Sequence, residues 1–183
     1  MKLSLIAHPD FSLSPIDTIE VSLSRLEFGR IGFSYCVLGD VDAVAWPPLS
    51  PEGPAQAMGL WEHSCFEAFV RPVDHRRYVE LNFASSGKWM AAMFDQYRGE
   101  MQESGSELNN LNWNVDVAGG RAELTADVSF RVLGEGALML NLSAIIEAKD
   151  GSKSYWALAH PPDKPDFHNA DCFVARLAAP DRE

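Results

Sequence analysis

The sequence predicts an all-β fold, an antiparallel two-sheet β-sandwich of the jelly-roll or immunoglobulin-like kind. Apolar and polar residues alternate with a period of two along much of the chain, as in strands with one buried face. Sustained helical periodicity is scarce, and the strand-like runs follow one another without the intervening helices of a parallel sheet. The chain has 183 residues and no linker rich in glycine and serine, so we expect one domain over residues 1–183.

The first half of the chain contains three early strands, a long connection and a meander. Alternation predicts the early strands at residues 3–7, 19–23 and 31–37. Residues 46–59 hold four prolines and two glycines, which predicts a long loop. Strand-like runs then follow as a three-stranded meander, at 63–70, 77–83 and 88–95.

The second half contains two hairpins and a final strand. Glycine-containing turns, Ala118-Gly119-Gly120 and Asp150-Gly151, each separate two alternating runs, which is a signal for a hairpin. The four predicted hairpin strands lie at 111–117, 121–130, 137–148 and 152–160, and a last strand lies at 172–177. The polar residues 97–110 predict a surface loop.

Charge, hydropathy and cysteine content limit the partners and the cellular compartment that the sequence predicts. Lys and Arg number 15 against 26 Asp and Glu, and the net charge of -11 repels nucleic acid and anionic membrane surfaces. The apolar stretch at residues 3–7 is too short for a signal peptide or a membrane span. Three separated cysteines, Cys36, Cys65 and Cys172, predict reduced thiols in a cytoplasmic protein. The sequence leaves the oligomeric state open.

The meander carries a row of polar residues that predicts a ligand-binding face. Glu67 interrupts a strand that is otherwise apolar on both sides. On the next strand Glu80 and Asn82 share one face, so pairing in order brings these three residues together. Trp89 lies on the third strand and Arg98 follows it. Carboxylates, an amide, a guanidinium and aromatic rings are the groups that bind a polyhydroxylated ligand.

Other interpretations of these residues stay open. A charged row is also typical of a solvated sheet face, and Glu67 could form a buried ion pair with Arg98 or Arg71. Taken one by one, the tryptophans suit a core or its edge better than a stacking surface, namely Trp61, Trp89, Trp113 and Trp156. Glu67 and Glu80 have the residue types of a glycosidase pair, although GxSxG, HExxH, GxGxxG and P-loop motifs are absent from the sequence.

Three blocks of sequence resemble the DOMON-like proteins related to the family 9 carbohydrate-binding modules. They are LWEHSCFEAFVRP, RYVELNFASSGKWMAAMFDQYR and YWALAHPPDKPDFHNADCF, at residues 60–72, 77–98 and 155–173. The resemblance implies a β-sandwich whose concave face binds a sugar or haem. Matching its motif positions gives ligand-binding roles to Trp61, Glu67, Asn82, Trp89 and Arg98. Trp156 and His168 match the C-terminal block only, and Glu80 joins the predicted set from the polar row.

These observations predict a non-catalytic domain that binds a carbohydrate or sugar-like metabolite without a cofactor or metal. One alternative is a haem site, with axial ligands among five methionines and three histidines: Met58, Met90, Met93, Met101, Met139, His63, His160 and His168. A protein-interaction module and a glycosidase are the others. A weaker alternative is a bound cation. Its candidate ligands lie together in one proline-stiffened loop and are His160, Asp163, Asp166 and His168.

Overall fold

The computed structural model describes residues 1–11, 13–26, 29–131, 133–134 and 136–180. Strands make up 51% of the described residues and helices 7%, so the predicted all-β fold is confirmed. The strands are β1 (Lys2–Ser4), β2 (Ile6–Ala7), β3 (Ile16–Arg25), β4 (Arg30–Gly39), β5 (Ala55–Gln56), β6 (Cys65–Pro72), β7 (Tyr78–Phe83), β8 (Lys88–Phe94), β9 (Gln102–Glu103), β10 (Glu107–Asp116), β11 (Arg121–Ser129), β12 (Leu138–Glu147), β13 (Lys153–Ala157) and β14 (Ala175–Leu177). Short 3-10 turns lie at Pro9–Phe11, Val41–Ala43, Leu60–Glu62 and Ala170–Cys172.

The strands form two sheets that pack face to face. The smaller sheet has the antiparallel order β1-β3-β4-β11-β10. The larger has the order β2-β13-β12-β6-β7-β8-β5, with β14 beside β12 and β9 beside β8. Its pairs are antiparallel except for the two-residue pair of β5 with β8. The predicted two-sheet sandwich is therefore confirmed.

Alternate residues of both sheets fill the space between them. On β6 and β7 the inward residues are fully buried, and they include Phe66, Leu81 and Phe83. From the smaller sheet, β4 contributes Phe33 and Tyr35 to the same core. The apolar phase of each strand thus decides which face turns toward the partner sheet.

A second apolar layer covers the outer face of the larger sheet. Phe69, Phe94 and Ile145 point to this side. The segment between β13 and β14, residues 158–174, is called the C-terminal segment, and its Phe167 and Phe173 pack on them. All residues from 65 to 70 are buried, which confirms that β6 is covered on both sides. The C-terminal segment therefore turns an outer sheet face into a partly enclosed site.

Residues 97–110 are not all loop, because β10 already begins at Glu107 as the exposed edge strand of the smaller sheet. The single domain over 1–183 stays a prediction, and its last residues, 181–183, lie outside those that the structure describes. Within the described part of the chain, no helix has the length and apolar character needed to cross a membrane.

Candidate functional site

A cleft of about 310 Å³ opens on the outer face of the larger sheet, under the C-terminal segment. Its lining combines buried carboxyl groups, aromatic rings and two further polar side chains. They are Glu67 and Glu80; Trp61, Tyr155 and Phe167; and Arg98 and His168. Five of the eight residues predicted from sequence therefore line one cavity.

Strand register explains how the two carboxyl groups meet. Glu67 on β6 lies opposite Asn82 on β7, and Phe69 lies opposite Glu80. Glu67 and Glu80 are therefore diagonal neighbours on one face, a spacing at which long side chains still interact. The sequence prediction that Glu67, Glu80 and Asn82 share a face is correct.

Glu67 is a buried carboxyl group whose raised pKa favours the protonated form at neutral pH. Its Oε2 accepts a hydrogen bond from Ser143 Oγ at 3.0 Å, and Cys65 Sγ lies 3.6 Å from its Oε1. Burial, followed by the negative charge of Glu80, raises the pKa of Glu67 to about 8, although these bonds and Arg98 oppose the rise. A protonated carboxyl group can both donate and accept a hydrogen bond.

The predicted ion-pair alternative for Glu67 is wrong. Arg98 pairs instead with Asp166, and Arg71 donates to the carbonyl oxygens of Val73 and His75. A neutral Glu67 needs no cation, because removing its charge already avoids the cost of burying an unpaired carboxylate.

Glu80 is the second buried carboxyl group and is only partly satisfied. Asn82 Nδ2 donates to its Oε1 at 2.8 Å. Its Oε2 has no hydrogen-bond partner among the described residues, and His168 Nε2 lies 3.7 Å from it. Burial raises the pKa of Glu80, while the bond from Asn82 opposes the rise. Asn82 itself is fully buried and does not line the cleft, so it positions Glu80.

Tyr78 orients the imidazole ring of His168. Burial, and then the charge of Arg98, lowers the pKa of His168 to about 4. Tyr78 accepts the backbone N–H of Arg98 at 3.3 Å, and its hydroxyl oxygen lies 2.7 Å from His168 Nδ1. Because burial raises the pKa of Tyr78 to about 12, we assign its proton to the bond with Nδ1. The imidazole proton then lies on Nε2, facing Glu80.

Arg98 is anchored on one side and exposed on the other. Its Nη2 and Nε donate to Asp166 Oδ1 at 2.8 and 3.3 Å, and Tyr97 donates to Asp166 Oδ2 at 2.6 Å. Arg98 has a φ of +47°, a left-handed conformation that is uncommon for residues other than glycine. Its side chain is 52% exposed. The contacts fix the guanidinium at the cleft and leave N–H groups for a ligand.

Two predicted site residues lie elsewhere, and their placement on the ligand face is wrong. Trp89 pairs with Phe83 and Trp156 pairs with Ala144, and all four side chains belong to the core between the sheets. Strand phase is the reason, since Met90 and not Trp89 points to the outer face. Trp156 donates its indole N–H to Ser154 and is a core residue.

The sequence prediction missed several residues that complete the site. Tyr155 and Phe167 supply rings, Ser143 supports Glu67, and Asp166 anchors Arg98. Asp166 had a usable signal, because it stands two residues before His168 in a loop already considered for polar ligation. Ser143 had none, since its contact with Glu67 joins strands separated by 76 residues.

Neither a metal ion nor haem is indicated by the donor groups. Among the described residues, no three His, Cys, Asp or Glu side chains are grouped so that they could hold a metal ion. His168 and Met101 both line the cleft, the residue types of a haem iron. However, His168 Nε2, the free ring nitrogen, faces Glu80 at 3.7 Å, and two buried carboxyl groups lie where haem needs apolar walls. These residues do not fit a haem.

Comparison with known proteins supports the fold. No protein-family model and no curated protein matches the chain. A crystal structure of a protein from Bacteroides uniformis, proposed to bind carbohydrate, is similar with a TM-score of 0.64 at 16% sequence identity. The match covers 97% of this chain and 85% of the other. At this identity the likeness establishes a shared β-sandwich architecture.

Proposed function

We propose that this protein is a non-catalytic domain that binds a carbohydrate or sugar-like metabolite in the cleft. The observation that carries the proposal is Glu80 Oε2, a buried carboxyl oxygen at the cleft without a hydrogen-bond partner among the described residues. A buried polar atom is costly unless a ligand or water pairs with it. A sugar hydroxyl is a suitable partner, because it both donates and accepts.

The aromatic lining supports the same ligand class. Trp61 and Tyr155 are half-buried at the cleft, so their rings are accessible to a ligand. Sugar C–H faces pack on such rings, while hydroxyl groups bind to fixed polar side chains such as Arg98. The structural neighbour from Bacteroides uniformis is itself proposed to bind carbohydrate, which agrees with a sugar ligand here.

We propose, from the sequence resemblance, that the chain is related to the DOMON-like proteins and the family 9 carbohydrate-binding modules. We also propose that it acts in the cytoplasm. Cys36, Cys65 and Cys172 are all buried and unpaired, which suits a reducing compartment.

A binding screen tests the proposal. Neutral and charged mono- and disaccharides are titrated into the protein by calorimetry. For the sugar that binds, Arg98→Ala should weaken affinity about tenfold or more, because a charge-assisted hydrogen bond is lost. Lys149→Ala is the control, since Lys149 lies in the turn after β12 and contacts Asp42, away from the cleft. Unchanged affinity in an Arg98→Ala protein that melts cooperatively would exclude this cleft.

The alternatives give different results. Hydrolysis of a chromogenic glycoside, lost in Glu67→Gln, would make the protein a glycosidase that uses its paired carboxyl groups. A Soret band in the purified protein would indicate haem. If no sugar binds and the protein forms a stable oligomer, an interaction module becomes the better interpretation.

A further inference from the structure

A second cavity of about 490 Å³ adjoins the cleft, and His168 lines both. Its other lining residues include Arg71, Arg76 and Tyr97. Tyr78, which is hydrogen-bonded to His168, also lines it, and the two cavities meet at His168. A ligand longer than one sugar ring could therefore extend from the cleft into the second cavity.

The second cavity lies in a basic region of an acidic protein. Residues 71–77 contain three arginines and one histidine but only one acidic residue, in a chain of net charge -11. Arg77 is neutralised by Asp95 at 2.6 Å and is not among the residues that line this cavity. The described residues that line the cavity thus include two arginines, Arg71 and Arg76, and no acidic side chain, in contrast to the net negative charge of the chain.

Arg71 is oriented before any ligand arrives. Its guanidinium carbon lies 5.2 Å from the centre of the Phe173 ring. Its Nη1 donates to the carbonyl oxygen of His75 at 2.9 Å. A guanidinium held in this way can present its remaining N–H groups to the oxygens of a carboxylate or a phosphate at little entropic cost.

We propose that the second cavity binds the anionic group of an acidic sugar, a carboxylate or a phosphate, through Arg71 and Arg76. This inference rests on the proposed function, because the neutral part of the ligand occupies the cleft. Guanidinium groups bind carboxylate and phosphate oxygens with charge-assisted hydrogen bonds. The exposed ring of Tyr97, beside the arginines, offers a surface for the sugar that carries the charge.

Matched pairs of sugars test the inference by calorimetry. Cellobiose and cellobiouronic acid differ by a carboxylate, and glucose and glucose-6-phosphate differ by a phosphate. We expect at least one acidic member to bind about tenfold more tightly than its neutral partner. Which pair shows the preference identifies the anion.

Substitutions assign the preference to the cavity. In Arg76→Ala, the ratio of acidic to neutral affinity should fall by about tenfold toward one, and Arg71→Ala should act in the same direction. Arg76 is exposed, so its substitution keeps the test valid even if Arg71→Ala fails to fold. Lys149→Ala should keep the native ratio.

Failure of this inference is distinguishable from failure of the proposed function. Equal affinity for the neutral and acidic sugars, or a preference that survives Arg76→Ala, overturns the anion site and leaves sugar binding intact. Absence of binding for all four sugars contradicts both.

Discussion

Replacing Glu67 with glutamine tests whether this carboxyl group is neutral in the folded protein. Burial raises its pKa from the ordinary 4.5 to about 8. Below pH 4.5 both folded and unfolded chains hold the proton, so the group costs no stability there. Between pH 4.5 and 8 the unfolded chain loses the proton that the folded chain keeps, and stability falls as pH rises.

His168 has the opposite effect, in a lower range. Its pKa falls from 6.5 to about 4, so its contribution makes stability rise with pH until about 6.5. By about pH 7.5 the imidazole is largely neutral in the unfolded state as well as in the folded state. Burial also lowers the pKa of His160, which acts in the same direction as His168. Because both histidines make stability rise with pH, a fall in stability between pH 6.5 and 8 reports the buried carboxyl groups.

The expected magnitude follows from one retained proton. Over this interval the native protein should lose roughly 2 kcal/mol of unfolding free energy, measured by urea denaturation at several pH values. Glu67→Gln should lose clearly less, because an amide cannot ionise. Glutamine also keeps its hydrogen bonds, since the hydroxyl of Ser143 can accept as well as donate.

Glu103→Gln changes an exposed residue of β9 and should keep the native slope. Glu80 also has a raised pKa, so Glu80→Gln assigns whatever slope remains. A native protein with no loss of stability from pH 6.5 to 8, or a Glu67→Gln protein with the full native slope, would mean that Glu67 is ionised when folded.

Three further predictions concern the core and the strand content of the protein. Phe66→Ala should cost about 3–5 kcal/mol in urea denaturation, because the ring is fully buried against Tyr35; a loss below about 1 kcal/mol would contradict its placement. Tyr35→Phe should cost about 1–3 kcal/mol, since the hydroxyl donates to the Glu67 carbonyl at 2.6 Å; a cost equal to that of exposed Val174→Ala would refute this. Circular dichroism should show a β-dominated spectrum, and helix above about a third of residues would contradict the fold.

The fold was accessible from sequence because its main signals are local. Period-two alternation gives the phase of each strand, and Asp150-Gly151 indicates the turn between β12 and β13. The same alternation placed Glu80 and Asn82 on one face. The motif match predicts Trp89 on the ligand face, but the phase of β8 puts Met90, Ala92 and Phe94 on the outer face and Trp89 in the core.

The rest of the site depends on contacts that no local pattern reports. Arg98 and Asp166 are 68 residues apart, and Tyr78 and His168 are 90 apart. The segment that carries Asp166 and His168 contains no strand, so periodicity cannot show that it folds over the sheet. Its apolar residues, Phe167 and Phe173, find their partners only in the assembled larger sheet.

The covering segment connects the stability of the protein with the chemistry of the cleft. By packing Phe167 and Phe173 on the outer face, it buries Glu67 and Glu80, and this burial raises the pKa of Glu67 so that the protonated form is favoured at neutral pH. A carboxylate only accepts hydrogen bonds, whereas a protonated carboxyl group also donates one. The burial that destabilises the folded state above neutral pH thus also gives the cleft a donor and acceptor pair suited to a sugar hydroxyl. It leaves the cleft less negative as well, so that an anionic group can approach the arginines beyond His168.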